Sequence, residues 1–205
     1  LVVCVQLDVW SDVVCPWCYI GKRKMELALE KWDGDPVEVR WRPYQLDASS
    51  PNDGALMVDA LGERFGGAER VAEMHAHVSG IAASVGLDYA MAGTRRANTF
   101  DAHKLVAFAS GQNLQDQMQE RLFHANFVEN RHVGDRAVLE ELASEVGVVG
   151  AAQALDDEAL GQRLREELAL GIALGVRSVP TFVVGNRGVA GAQDPDVVLD
   201  LLRSA

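Results

Sequence analysis

The 205 residues carry 19 basic against 30 acidic side chains, a formal net charge of −11, and 48% of them are hydrophobic. A chain of this length can bury a sizeable core without disulfide staples. The acidic balance argues against nucleic acid and against an anionic membrane surface, both of which are gripped by Lys and Arg, and suits a protein that handles small molecules or other proteins.

Residues 2–10, VVCVQLDVW, are rich in β-branched side chains and read as a strand. From Pro16 to about Trp32 the pattern turns helical, with Ile20, Met25, Leu27 and Leu29 among basic residues, until DGDP breaks it. Residues 37–44, VEVRWRPY, alternate with period two and form a second strand edged by Pro43. The long middle is helical. Over 68–86, Val71, Met74, His75, Val78, Ile81, Ala82 and Val85 follow the spacing of one buried face. The helix over 98–110 opens on Asn98 as cap with Asp101 in its acidic first turn. Helices over 114–128 and 135–147 follow, the latter buried through Val138, Leu139, Leu142, Ala143 and Val146, and one over 157–174 is stopped by Gly175. The period then returns to two. VPTFVVG (179–185) and GVAGA (188–192) are strands of a hairpin whose turn is flanked by Asn186 and Gly188, and Asp194 caps a last helix with Pro195 at its first position. The order β-α-β, a helical block, α, β-β-α describes an all-helical insertion in a small α/β domain.

No apolar run approaches the ~20 residues of a membrane span, and no secretory h-region is visible, because the apolar start meets Gln6 and Asp8. The cytoplasm is the expected location. The first residue is Leu1 rather than Met, which leaves room for residues upstream.

Three cysteines, Cys4, Cys15 and Cys18, are too few and too odd for a secreted disulfide framework. A zinc site wants four ligands, and the single CPWC pair with only His75 and His77 closely spaced does not supply them, so no metal is expected. A buried structural pair of thiols is the plain alternative. Placement favours redox chemistry: the pair follows a strand and opens a helix. Cys15 then sits at the positive end of the helix dipole, where its pKa is expected below the ~8.5 of a free thiol. Cys18 lies one turn along. At the far end of the chain, the Val179–Pro180 step leading into a strand is where a cis bond could turn the backbone toward a ligand.

SDVVCPWCYIGKRKME, ANTFDAHKL, LFHANFVENRHVGDRAVLEELASEVGV and GVRSVPTFVVGNRGVAGAQDPDVVLDLL together resemble the thioredoxin-fold oxidoreductases of the DsbA type, and within them the FrnE-like branch. The resemblance implies a thioredoxin-like domain over 1–50 and 155–205 with a helical domain inserted over 51–154. It implies Cys15 as exposed nucleophile, Cys18 as buried resolving thiol and Pro180 as a cis-proline facing them. The function so implied is a thiol–disulfide oxidoreductase acting on protein or small-molecule disulfides, without a bound cofactor but with glutathione as a redox partner or ligand, as monomer or homodimer. Trp17 brings no positive charge to a Cys15 thiolate, unlike a histidine there, so a couple less oxidising than the strongest of the family is expected.

Further candidates surround this site. Asp12 caps a turn or moves protons. Trp17 and Tyr19 form an apolar rim or pack. Asn98 and His103 are implied to face the cleft, against a plain cap and a surface histidine. Val179 offers its backbone to a substrate strand. Gln193, in GAQDP, stands at a helix N-terminus where an anion such as the charged end of glutathione could sit. Cys4 is expected to be a buried strand thiol. Two other functions remain open: a glutathione-dependent isomerase or transferase of the kappa/hydroxychromene-carboxylate isomerase type, which does not need Cys18, and a non-catalytic peptide-binding protein or chaperone.

Overall fold

The structure, a computed structural model, describes residues 4–204. Four strands, β1 (Val5–Ser11), β2 (Val37–Pro43), β3 (Thr181–Val184) and β4 (Arg187–Ala190), form a mixed sheet in the order β2-β1-β3-β4. β1 and β2 run parallel, Val5 opposite Val37 to Ser11 opposite Pro43, and parallel neighbours need a crossover, here helix α1 (Pro16–Glu30). β3 runs antiparallel to β1, and β4 to β3. The expected strands are therefore present, β1 running one residue further than expected, to Ser11, while Val2 and Val3 lie outside the described residues. The hairpin turn is made by Gly185 and Asn186. Gly185 supplies a φ of +58°, while Gly188 is inside β4 opposite Val183, so the turn glycine is not the one expected.

Between β2 and β3 the chain forms α2 (Met57–Phe65), α3 (Ala68–Ser84), a short 3-10 turn (Met91–Gly93), α4 (Phe100–Ser110), α5 (Gln115–Phe127), α6 (Arg136–Glu145), α7 (Ala151–Asp156) and α8 (Glu158–Ala173). α9 (Pro195–Leu202) closes the fold and packs on α1. The short α2 and α7 escaped the periodicity because neither spans enough turns to show it. In α3 Val71, Val78 and Ala82 are buried, but Met74 is exposed, so its apolar face is narrower than the spacing suggests. α4 starts two residues later than expected. Thr99 takes the cap position, and Asn98 acts from one residue before it, its Oδ1 accepting from the Phe100 N–H at 3.1 Å. Asp194 does sit at the cap of α9, yet its carboxylate receives Lys24 Nζ at 2.8 Å instead of a helix amide.

One hydrophobic core runs from Leu7, Val9 and Phe182 of the sheet through Ile20 and Met25 of α1 to Leu105, Leu122 and Leu139 of the intervening helices. Two glycines set close approaches within it. A Cβ on Gly21 of α1 would lie 2.8 Å from Pro180 Cγ, and one on Gly171 of α8 would lie 2.5 Å from the Trp10 ring. α1 is tied to α5 by the stacked rings of Tyr19 and Phe123, 5.0 Å between centroids, and Tyr89, from the segment after α3, stacks on Phe127 of α5 at 4.9 Å.

Candidate active site

β1 ends at Ser11, and the turn that follows is closed by the Cys15 N–H donating to the Asp12 carbonyl at 3.0 Å. Cys15 is the N-cap of α1, in extended backbone and with no side-chain cap, and Pro16 fills the first helical position, where its missing N–H costs nothing. From the other end of the chain comes the Val179–Pro180 step, whose peptide bond is cis, as expected. The Cys15 thiol donates to the Val179 carbonyl at 3.6 Å, a contact between residues 164 apart in sequence. Gly21, one turn beyond Cys18, gives Pro180 room to sit against α1. A glycine inside an otherwise helical pattern is itself a signal of close packing.

Cys18 is 1% exposed and faces inward. Burial pushes its thiol up, and the neighbouring Cys15 pushes it the same way, while the Ser11 hydroxyl and the Asp12 backbone act in the opposite sense. Both cysteines are free thiols. Cys15 is not the exposed group expected: it is 4% exposed, because as cap residue its side chain folds in beneath Val179. Cys4 departs in the other direction. It precedes the first described residue of β1 and is exposed.

Asp12 is buried, and its carboxylate is occupied. Oδ2 accepts from the Leu46 N–H at 2.8 Å, and Oδ1 lies 3.2 Å from His103 Nε2. The same Nε2 is 2.9 Å from the Tyr44 carbonyl, so it carries the proton and donates. His103 is thus neither at an open cleft nor on the surface. It is buried and pins the segment after β2 onto the start of the cysteine turn. Asn98 serves the same segment, its Nδ2 donating to the Ala48 carbonyl at 3.1 Å and its Oδ1 accepting from Gln45. These two residues hold the frame of the site rather than line it, which their separate positions in the sequence could not show.

Trp17 is 37% exposed beside the thiols, its ring 6.3 Å from that of His77. Tyr19 does not share that rim: it is buried, and its hydroxyl donates to Glu120 at 2.7 Å. Gln193 is exposed and donates to the Ala190 carbonyl, folding the chain after β4 into the start of α9. Two contributors carried no sequence signal. Tyr89 donates its hydroxyl to the Pro16 carbonyl at 2.7 Å, clamping the CPWC turn from the segment before α4. Burial pushes its phenol well up, and the two cysteines add to that, so it stays a donor. Ser11, 1% exposed, lies against Cys18.

A family profile described as a DSBA-like thioredoxin domain matches residues 6–203. The uncharacterized protein YwbO of Bacillus subtilis (strain 168) is 29% identical over 197 residues, 94% of this chain and 93% of that protein. The structure is similar to that of a probable DsbA oxidoreductase, SCO1869, from Streptomyces coelicolor, with a TM-score of 0.90 and 30% identity over 98% of this chain and 89% of the other. The cytosolic disulfide reductase DsbM from Pseudomonas aeruginosa, in a structure with GSH, shares the fold at a TM-score of 0.67 and 22% identity, over 97% of this chain and 98% of its own. No helix of the described residues is long and apolar enough to cross a membrane. The chain belongs to the family of DSBA-like thioredoxin domains.

Proposed function

We propose that this protein is a thiol–disulfide oxidoreductase that passes two electrons between its Cys15–Cys18 pair and protein or small-molecule disulfides, in the cytoplasm, with glutathione as its redox partner. The observation that carries this reading is the meeting of Cys15 Sγ with the Val179 carbonyl while Cys18 sits one turn deeper. The two sulfurs are placed for different steps. Cys15 caps the helix, where the dipole and the unpaired amides of the first turn favour negative charge, so it is the thiol that attacks a substrate disulfide. Burial keeps Cys18 protonated until the mixed disulfide forms. Cys18 then attacks Cys15 Sγ, the bond to the substrate sulfur breaks, and the substrate thiolate leaves. In the opposite direction a substrate thiolate opens the Cys15–Cys18 disulfide. The Val179 N–H, which has no hydrogen-bond partner among the described residues, is the group that a bound substrate backbone meets.

An isomerase or transferase that activates glutathione at one position has no need of Cys18, and a peptide-binding protein needs neither thiol. Equilibration of the protein against mixtures of reduced and oxidised glutathione, followed by alkylation and mass measurement, separates the three. The expected result is a single two-electron transition that protects Cys15 and Cys18 together and leaves Cys4 out. Absence of the Cys15–Cys18 disulfide at every ratio would sink the proposal.

A further inference from the structure

Resolution of a mixed disulfide creates negative charge on a buried sulfur, and a buried charge needs a donor. Ser11 ends β1 four residues before Cys15, and its side chain reaches the Cys18 thiol. Its residue is 1% exposed, and its Oγ has no hydrogen-bond partner among the described residues, a rare state for a buried hydroxyl. The other polar groups of this corner are committed: the Asp12 carboxylate to Leu46 and His103, the Asp12 carbonyl to the Cys15 amide, the Tyr89 hydroxyl to Pro16. A thiol is a poor acceptor, so an idle hydroxyl beside a protonated Cys18 is what the resting dithiol should show.

We infer that the Ser11 hydroxyl is the donor held in reserve for Cys18, turning to hydrogen-bond its sulfur when that sulfur attacks Cys15. This rests on the redox reading above. In the step, Cys18 releases its proton to solvent and its sulfur forms the bond to Cys15 Sγ. The Cys15–substrate bond breaks, and the departing thiolate takes a proton from solvent, so two electrons pass from the pair to the substrate. The titratable groups that act on Cys18 from the packed elements are Cys15 on α1 and Tyr89 before α4, and neither can take the place of Ser11: Cys15 is the atom under attack and Tyr89 is bound to Pro16.

Stopped-flow reaction of the reduced protein, in a Cys4→Ser background, with one equivalent of dithiobis(nitrobenzoate) separates the steps, since attack by Cys15 and resolution by Cys18 each release one thionitrobenzoate. Ser11→Ala and Ser11→Gly should leave the first release unchanged, slow the second about tenfold at neutral pH, as loss of a hydrogen bond to a charged group implies, and move its pH profile to higher pH. Ser11→Thr, which keeps the hydroxyl, should restore the second release. An independent reading uses a Cys4→Ser, Cys15→Ser background, where thiolate absorbance should show Cys18 ionising at higher pH once Ser11→Ala is added. Second-phase rates and pH profiles within twofold of the parent, or both phases slowed alike, would overturn the role of Ser11. A parent protein that gives no second release would instead overturn the redox reading itself.

Discussion

Helix α1 carries two polar environments one turn apart, and they are built by opposite rules. At its first turn some of the polar groups around the sulfurs are unspent: the Val179 N–H and the Ser11 hydroxyl have no partner among the described residues. One turn on, every charge is matched. Lys22, its side chain 2% exposed, meets Glu26, Asp116 at 3.2 Å and Glu120 at 3.3 Å. Arg23 joins Glu26 and Glu120, Tyr19 donates to Glu120, and the Trp41 indole donates to Asp116 at 2.9 Å. Burial alone would lower the Lys22 pKa, but its three carboxylates raise it. The difference teaches where a fold can afford incompleteness. The charged groups at the seam between α1 and α5 are paired in one arrangement, whereas the thiol corner, on the redox reading proposed above, exchanges bonds and keeps donors free for states the resting protein does not show.

The largest effect expected at the first turn comes from the cysteines. Cys15→Ser should abolish disulfide exchange, while Cys18→Ser should still attack and then stop, leaving a covalent adduct visible by mass. A Cys18→Ser variant that turns over like the parent would erase the contrast between the thiols. At the seam, Lys22→Ala leaves three carboxylates facing one another and should cost about 1–3 kcal/mol of stability, below the cost of breaking a fully buried pair because its partners are partly exposed. Urea denaturation should show this without a change in thiol reactivity; altered exchange kinetics would mean that the two turns are coupled.

Gly21→Ala lies between the two environments. Its new methyl meets Pro180 and Phe182, so it should destabilise by about 1–3 kcal/mol and also displace the Val179–Pro180 segment from Cys15. Thermal melting and exchange rate measured together test it, and a stable variant with normal kinetics would show that Pro180 can move freely. Tyr89→Phe removes the hydroxyl clamp on Pro16 and should cost about 1 kcal/mol, read by denaturation, with a modest change in exchange rate.

The smallest effect is a dependence on acid. Burial works against a charged Glu120, but Arg23, Tyr19 and Lys22 hold its carboxyl below the usual range. Its contribution is therefore full above the ordinary glutamate pKa of ~4.3 and lost as pH falls through the lower value of the folded state. Melting temperature should fall less steeply below about pH 4 in Glu120→Gln than in the parent; equal slopes would remove Glu120 from the seam's balance.

Much of this molecule was legible before any coordinates. The alternation of VEVRWRPY, the β-branched start, and the short runs on either side of the hairpin define strands because side-chain period is a local property. CPWC after a strand and before a helix, and a Val-Pro step near the far end, marked the two segments that meet at the candidate site for the same reason: each is a local motif. Helix limits followed less well, as at Asn98, because capping depends on which side chain wins the competition for a free amide.

The sequence by itself determined the strands, the longer helices, their order and the pair of thiols. Only the tertiary structure decided how the thiols are guarded. That Cys15 is covered, that Cys4 is not, that His103 meets Asp12, that Tyr89 clamps Pro16 and that Ser11 waits beside Cys18 are all contacts between, or exposures set by, segments far apart or on different elements. Period and composition record what a residue prefers along its own strand or helix. Which neighbour it receives is set by how the helices pack around the sheet, where a single missing Cβ, as at Gly21, determines what can come close.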